Sequence, residues 1–220
     1  MTVTKPSVPG LYVGTSGWSY PSWRPGFYPP EVKPAGFLEY YAQRFRTVEL
    51  NTTGYRIPAE EQFTRWAEQT PPGFQFAVKL DAHRRGQTSA FDDGIRRLGD
   101  SLGPIRVVVI STRDEGLLGF ILGSFGAERR FAFDFRHDSW DGIDADLPGN
   151  AVRVGALEAA APFRYLRLRE PPYDESELAE WADRIRPLLA EGIEVYCYLK
   201  HEEEPRAPAY AERLLELLSG

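Results

Sequence analysis

The feature that most constrains the fold of this 220-residue chain is a regular exchange between short apolar stretches and stretches with helical periodicity. The apolar stretches have the length and the flanking turn residues of β-strands. They cover residues 11–17, 47–51, 74–80, 105–110, 130–136, 151–155, 163–168 and 193–199. Helical periodicity occurs at residues 35–44, 60–68, 89–101, 115–125 and 175–189, and again up to residue 218. Strands that alternate with helices predict βαβ units and a parallel sheet.

Eight strands in this order predict an α/β fold with one domain over residues 1–220, a TIM-like (β/α)₈ barrel. A barrel of this kind usually needs about 250 residues, so part of the chain must be abbreviated. The shortage falls between residues 136 and 163, because a parallel crossover needs about a dozen residues. We therefore expect an irregular region around strands 5 to 7.

Composition limits the class of protein. The single cysteine, Cys197, excludes an intrachain disulfide and a multi-cysteine metal site. A net charge of -6 argues against a surface that is basic throughout, but a local basic pocket is compatible with it. Residues 1–10 contain no signal-like segment, and no apolar run reaches the roughly 18 residues of a membrane span. These features predict a cytoplasmic protein without a membrane partner, and they leave the oligomeric state open.

Polar and apolar side chains alternate along several predicted strands, although strands covered on both faces are usually apolar throughout. The polar positions that share one face are Glu49, Asn51, Lys79, Asp134, Arg136 and Arg167. In a barrel this face points inward, and function is located at the C-terminal ends of the strands. Buried charges are costly unless they are paired, so this set predicts a ligand site. The alternative is an internal ion-pair network, such as Glu49 with Lys79 and Asp134 with Arg136, that performs no chemistry.

The basic residues of this set favour a small anionic ligand, because arginine binds phosphate and carboxylate in a bidentate manner. The predicted ligand-binding residues are Asn51, Tyr55, Arg136, Trp140, Arg167 and Lys200. The predicted catalytic residues are Glu49, Lys79, Asp134 and His137, since a desolvated carboxylate can act as a general base and an imidazole can transfer a proton. The leading hypothesis is an enzyme, or an enzyme-derived protein, that acts on a small anionic or phosphorylated ligand as a hydrolase or lyase.

Two further ligand classes stay open from the sequence. Carboxylates and the three histidines are suitable metal ligands, but they form no recognised spacing motif, and Lys79 and Arg136 would compete with a cation. No cofactor is therefore predicted, and a divalent metal is the alternative. Loop aromatics such as Tyr55 and Trp140 could stack on a base, which leaves a nucleic-acid-binding or nucleic-acid-processing protein as an alternative, beside a noncatalytic ligand-binding barrel.

Several motifs of this chain resemble those of the YecE-like family, which is defined by a domain of unknown function. The resemblance is strong over residues 11–80 and 131–140, which include Gly-Thr-Ser-Gly-Trp at 14–18 and Phe-Asp-Phe-Arg-His at 133–137. It implies a TIM-barrel-like fold and no established reaction. The C-terminal half departs from the family. The family usually has asparagines where this chain has Lys200 and His201, and glutamate in place of Asp134.

Overall fold

A computed structural model describes residues 8–201 and 204–220 of the chain. Its strands are β1 (Leu11–Thr15), β2 (Thr47–Leu50), β3 (Gln75–Asp81), β4 (Leu102–Val109), β5 (Phe131–Phe135), β6 (Ala151–Arg153), β7 (Phe163–Leu168) and β8 (Glu194–Leu199). Its α-helices are α1 (Phe37–Ala42), α2 (Glu60–Glu68), α3 (Thr88–Arg96), α4 (Glu115–Gly123), α5 (Glu175–Ala190) and α6 (Arg206–Ser219). Within these described ranges, no helix is long and apolar enough to cross a membrane.

The strands form two parallel sheets, with the orders β1-β8-β7 and β2-β3-β4-β5-β6. The prediction of an α/β fold with parallel strands is confirmed. A single closed sheet is not found in the described part of the chain, because neither β1 and β2 nor β6 and β7 form a ladder. At the second of these seams, the backbone N–H of Gly155 donates to the carbonyl of Tyr165 at 2.9 Å. This contact links the loop just after β6, at the edge of one sheet, to β7, at the edge of the other.

The hydroxyl of Tyr41 on α1 bridges the seam between β1 and β2. It accepts a hydrogen bond from the backbone N–H of Thr15 at 2.8 Å and donates to the carbonyl of Thr47 at 3.1 Å. The two strands approach closely at Gly14, where an added Cβ would lie only 2.2 Å from the carbonyl oxygen of Thr47. Side-chain hydrogen bonds therefore connect the two sheets at this seam, and the contact of Thr47 with the hydroxyl of Tyr198 on β8, at 2.7 Å, adds to them.

The segment between β5 and β7 contains no α-helix, as its short length predicts. It consists of 3₁₀ turns at Asp138–Trp140 and Ile143–Asp146, the short strand β6 and a loop over residues 154–162. Arg164 of β7 is buried beneath this loop. Its guanidinium donates hydrogen bonds to the backbone carbonyls of Leu157, Ala159, Ala161 and Phe163. The loop is therefore attached to β7 through a side chain rather than through a packed helix.

The predicted alternation of side chains along the strands is confirmed by two separate apolar clusters. The larger cluster joins the helices to one face of the strands and includes Phe76, Val78 and Phe133. The smaller cluster lies on the opposite face, and its members are Ala77, Ala132, Val152, Ala161, Phe163, Tyr165, Tyr196 and Tyr198. Side chains on this second face are directed towards the interior between the strands, which is the face that carries the predicted polar set.

Candidate functional site

A group of charged side chains lies towards the C-terminal ends of β2, β4, β5 and β7. It consists of Glu49, Arg106, Asp134, Arg136, Arg167 and Arg169, and we call it the charged cluster. Glu49, Arg106 and Asp134 are buried, whereas Arg136 is half-exposed at the edge of the group. The cluster brings together residues that are up to 120 positions apart only because parallel strands end at one edge.

Glu49 is the fully buried carboxylate of the charged cluster. Its Oε1 is 3.3 Å from Nη1 of Arg106, and its Oε2 is 2.9 Å from Nη2 of Arg167. The hydroxyl of Tyr165 donates to Oε1 at 2.7 Å. Burial alone would raise the pKa of Glu49, but the two guanidinium groups and the Tyr165 hydroxyl outweigh burial and hold the pKa below its ordinary value. Glu49 is therefore an anion at neutral pH.

Asp134 is shared by three guanidinium groups. Its Oδ2 accepts hydrogen bonds from Nη2 of Arg106 at 2.7 Å, from Nη2 of Arg136 at 3.0 Å and from Nη2 of Arg169 at 2.5 Å. Burial alone would raise the pKa of Asp134, but the neighbouring arginines outweigh burial and lower it.

The ion pair of Asp134 with Arg136, which the alternative of an internal ion-pair network predicts, is present. The pair of Glu49 with Lys79 is not among the ion pairs of the described residues, so that prediction is wrong.

Arg106 joins the two carboxylates, and the sequence patterns did not identify it. It lies within β4, between Ile105 and Val107, and its side chain is buried. Burial alone would lower the pKa of Arg106, but Glu49 and the other anionic neighbours raise it. The sequence signal that could have identified Arg106 is a charged residue within an otherwise apolar strand. Tyr165 and Arg169 share a face with Arg167 in the sequence alternation, but they were not among the predicted site residues.

Two arginines of the charged cluster have unused hydrogen-bond donors. Nε of Arg167 and Nε of Arg169 are buried, and neither has a hydrogen-bond partner. The side chain of Arg167 is only 10% exposed. The cluster contains four guanidinium groups and two carboxylates, so two positive charges are unbalanced within it. Burial lowers the pKa of Arg169, Asp134 opposes this effect, and the neighbouring arginines add to it, so that the pKa is lowered. The excess positive charge and the two unpartnered donors favour an acceptor that carries negative charge.

A pocket of about 510 Å³ lies beside these two arginines. Arg136, Arg167 and Arg169 line it, together with Gly155 in the loop after β6 and Trp181 on α5. The volume lies in the range of pockets that hold small molecules. Acidic residues of the outer wall are Glu170, Glu177 and Glu180. Of these, Glu177 accepts a hydrogen bond from the backbone N–H of Asp174 at 2.8 Å and so belongs to the cap of α5.

Three other predicted residues lie around the charged cluster. The Oδ1 atom of Asn51 accepts a hydrogen bond from Nη1 of Arg106 at 3.3 Å. Lys79 is paired in register with Arg106 across the β3–β4 ladder, and its Nζ lies 4.0 Å from the centre of the Tyr55 ring. Lys200 follows β8, where its backbone N–H donates to the carbonyl of Leu168 and its side chain is exposed.

His137 and Trp140 have structural contacts in the turn after β5. Nδ1 of His137 accepts a hydrogen bond from the backbone N–H of Ser139 at 3.1 Å, which caps the turn. Trp140 is buried against Phe135, with ring centres 4.3 Å apart, and donates from Nε1 to the carbonyl of Ser111. Neither residue lines the pocket. Across residues 8–201 and 204–220, no group of three or more His, Cys, Asp or Glu side chains is arranged to hold a metal ion.

The lowered pKa values of Glu49 and Asp134 predict a specific loss of stability in acid. A group whose pKa is lowered by folding stabilises the native state above its ordinary pKa, and this contribution disappears as the pH falls. The ordinary values are 4.5 for Glu49 and 3.8 for Asp134. We expect the free energy of unfolding to decrease as the pH is lowered below about 5, measured by urea titrations at several pH values.

The dependence of the free energy of unfolding on pH should be shallower in Glu49→Gln than in wild type. Glu68→Gln, on the exposed surface of α2, should retain the wild-type slope. Equal slopes for wild type and Glu49→Gln would contradict the assignment.

Comparison of the sequence with known proteins relates this chain to a family of unknown function. The sequence model of the family described as "Protein of unknown function DUF72" matches residues 12–220. UPF0759 protein YecE of Escherichia coli (strain K12) is 41% identical over 73 residues, which are 33% of this chain and 24% of YecE. UPF0759 protein YunF of Bacillus subtilis (strain 168) is 32% identical over 81 residues, which are 35% of this chain and 28% of YunF. The matched segment thus spans about a quarter of the length of these curated relatives.

Two solved structures share the fold along nearly the whole chain. The DUF72 family protein TM1631 of Thermotoga maritima MSB8 superposes with a TM-score of 0.79 at 23% identity, covering 96% of this chain and 99% of that one. The DUF72 family protein EF0366 of Enterococcus faecalis V583 gives a TM-score of 0.75 at 16% identity, covering 94% and 97% of the two chains. At these identities the likeness concerns the fold alone.

Proposed function

This chain belongs to the DUF72 family, whose members share a domain of unknown function, and from this premise we propose that its charged cluster binds a small anionic or phosphorylated ligand. The observation that carries the proposal is the pair of buried Nε donors on Arg167 and Arg169 that have no hydrogen-bond partner. A buried donor without an acceptor costs free energy, and it persists where a ligand supplies the acceptor. Phosphate and carboxylate oxygens match guanidinium donors in both charge and geometry.

The proposed site uses the carboxylates to hold the arginines. A general base works best with a pKa near the working pH, whereas Glu49 and Asp134 have pKa values below their ordinary ones. Their ion pairs with Arg167 and Arg169 instead hold two guanidinium groups that line the pocket, while Arg106 joins the two carboxylates without lining it. If the protein is a hydrolase or lyase, the proton is transferred by a residue other than Glu49 and Asp134.

We also propose that the two sheets are halves of one barrel-like ring. The side-chain bridge made by Tyr41 and the backbone bond from Gly155 support this, because they connect the sheets at both seams. The ion pair between Glu49 on β2 and Arg167 on β7 supports it too, since these strands belong to different sheets. In such a ring the charged cluster occupies the mouth at the C-terminal ends of the strands, where ligands of this fold class bind.

A thermal-shift panel tests the proposed ligand class. Phosphate and sulfate are expected to raise the melting temperature of the purified chain, because a ligand that binds the native state stabilises it by mass action. Sodium chloride at matched ionic strength should have a smaller effect. The shift should be lost in Arg169→Met and kept in Arg65→Met, a change of an exposed arginine on α2.

Arg169→Met is suited to this test because Asp134, its ion-pair partner, keeps Arg106 and Arg136 when Arg169 is removed. The variant is therefore expected to fold, which circular dichroism and its unliganded melting temperature check. A phosphate shift that is equal in wild type and in folded Arg169→Met would show that the anion binds elsewhere, and would overturn the proposal.

A further inference from the structure

We infer that the ligand of this site carries a planar aromatic ring beside its anionic group, and that Tyr55 and Lys79 form the subsite for that ring. The inference rests on the proposed function, which it extends from an anion to a nucleotide-like class of ligand. It is carried by an exposed aromatic side chain that the fold holds in place next to the charged cluster.

Tyr55 is 68% exposed, yet the turn that presents it is firmly attached to the sheet. The turn Thr52–Gly54 follows β2 directly. The hydroxyl of Thr53 donates to the carbonyl of Lys79 at 2.7 Å and accepts from the backbone N–H of Lys79 at 3.1 Å. Because both backbone groups of Lys79 are used, the turn is fixed to β3, and Tyr55 faces solvent in a defined position.

Lys79 packs beneath this turn. A Cβ added to Gly54 would lie 2.6 Å from Cδ of Lys79, so the absence of a side chain at Gly54 provides the space for the lysine stem. Nζ lies 4.0 Å from the centre of the Tyr55 ring, within the range of a cation–π contact. Among the described residues, Lys79 has no carboxylate within ion-pairing distance. Its charge is therefore directed to the aromatic ring.

This platform lies one strand away from the charged cluster. Lys79 on β3 is in register with Arg106 on β4, and adjacent strands are separated by about 4.8 Å. Arg106 in turn contacts Glu49, which pairs with Arg167 at 2.9 Å. Strand register at Lys79 and Arg106, followed by the ion pairs of Glu49, thus relates the Tyr55 ring to the arginine that has an unpartnered donor. Neither Tyr55 nor Lys79 lines the pocket, so a ligand that engages both sites extends from the arginines beyond the pocket to the Tyr55 ring.

The cation on one face of Tyr55 selects what binds the other face. The ammonium of Lys79 binds one electron-rich face of the Tyr55 ring. The opposite, open face therefore attracts a second cation only weakly. A planar ring with an extended π face can stack there, and a bare sugar phosphate has no such face. Stacking of one base on an aromatic side chain is expected to change affinity by about 5- to 150-fold.

The experiment is a set of calorimetric titrations of the full chain with inorganic phosphate, ribose 5-phosphate and adenosine 5′-monophosphate. In wild type, adenosine 5′-monophosphate should bind at least about 5-fold more tightly than ribose 5-phosphate. In Tyr55→Ala the two should bind equally, whereas the affinity for inorganic phosphate should match wild type. Tyr55→Phe keeps the ring and should keep the preference. Since Tyr55 is exposed, these variants are expected to fold, and their melting temperatures verify this.

The outcomes separate the two proposals. If inorganic phosphate binds but adenosine 5′-monophosphate and ribose 5-phosphate have equal affinities in wild type, the ring subsite is refuted and the anion site stands. A preference that survives in Tyr55→Ala also refutes the subsite. If none of the three compounds binds, the proposed function fails, and this inference fails with it.

Discussion

Replacing Arg106 with methionine is expected to lower the free energy of unfolding by about 3–5 kcal/mol at pH 7, as breaking a buried ion pair does. Arg106 is buried between Glu49 and Asp134, and it is the residue that contacts both. Without it, two buried carboxylates retain fewer counter-charges and repel each other. Urea unfolding of both proteins, monitored by tryptophan fluorescence, measures the difference.

Two comparisons show whether the loss comes from the carboxylates. The deficit of Arg106→Met should shrink as the pH falls, because protonation removes the uncompensated negative charges. The double variant Glu49→Gln/Arg106→Met should recover part of the stability at pH 7. Methionine at exposed Arg65 should cause no comparable loss. If Arg106→Met were as stable as Arg65→Met, the charged cluster would not have the buried core that the structure assigns to it.

Replacing Arg164 with methionine is expected to be the second most damaging change, with a loss of roughly 3 kcal/mol or more. The guanidinium of Arg164 satisfies four backbone carbonyls around the loop of residues 154–162, and methionine donates to none of them. Each buried carbonyl left without a donor costs free energy. Chemical denaturation measures the loss, and proteolysis should cut the loop sooner in the variant than in wild type.

Arg164→Lys is the matched control for this prediction. Lysine keeps the charge but has three donors on one atom, so it should recover only part of the lost stability. Phosphate binding should persist in both variants, because Arg164 does not line the pocket, and the loop residues that do, Val154 and Gly155, are held by their own backbone bonds to Phe133 and Tyr165. A loss below about 1 kcal/mol in Arg164→Met would mean that the loop does not depend on this side chain.

The parts of the fold that follow from local periodicity could be predicted from the sequence. Alternation along β3 and β5 places Phe76 and Phe133 on one face and Lys79 and Asp134 on the other, and the structure has this arrangement. The break into two sheets could not be predicted. It depends on single contacts, such as the hydroxyl of Tyr41, and one side-chain hydroxyl leaves no periodic signal in a sequence.

Part of the candidate site could also be predicted from the alternation of side chains along the strands. Glu49, Asp134 and Arg167 stand out as charges at inward positions of apolar strands. Partner choice did not follow from such a pattern, since it depends on the stagger between strands. Lys79 was expected near Glu49, but the register sets it beside Arg106, and its ammonium contacts Tyr55 instead. Arg106 itself was hidden within the most apolar strand.

The central claim is that an anion is held by oriented guanidinium donors, and calorimetric titration of inorganic phosphate into wild type and Arg169→Lys tests it most directly. Lysine retains the positive charge but lacks the Nε donor and the planar fork of arginine. Loss of one charge-assisted hydrogen bond, worth about 1.5–3 kcal/mol, predicts a drop in affinity of about 10- to 150-fold. An unchanged affinity in Arg169→Lys would mean that only net charge matters, which would contradict a built site at the unpartnered donors of Arg167 and Arg169.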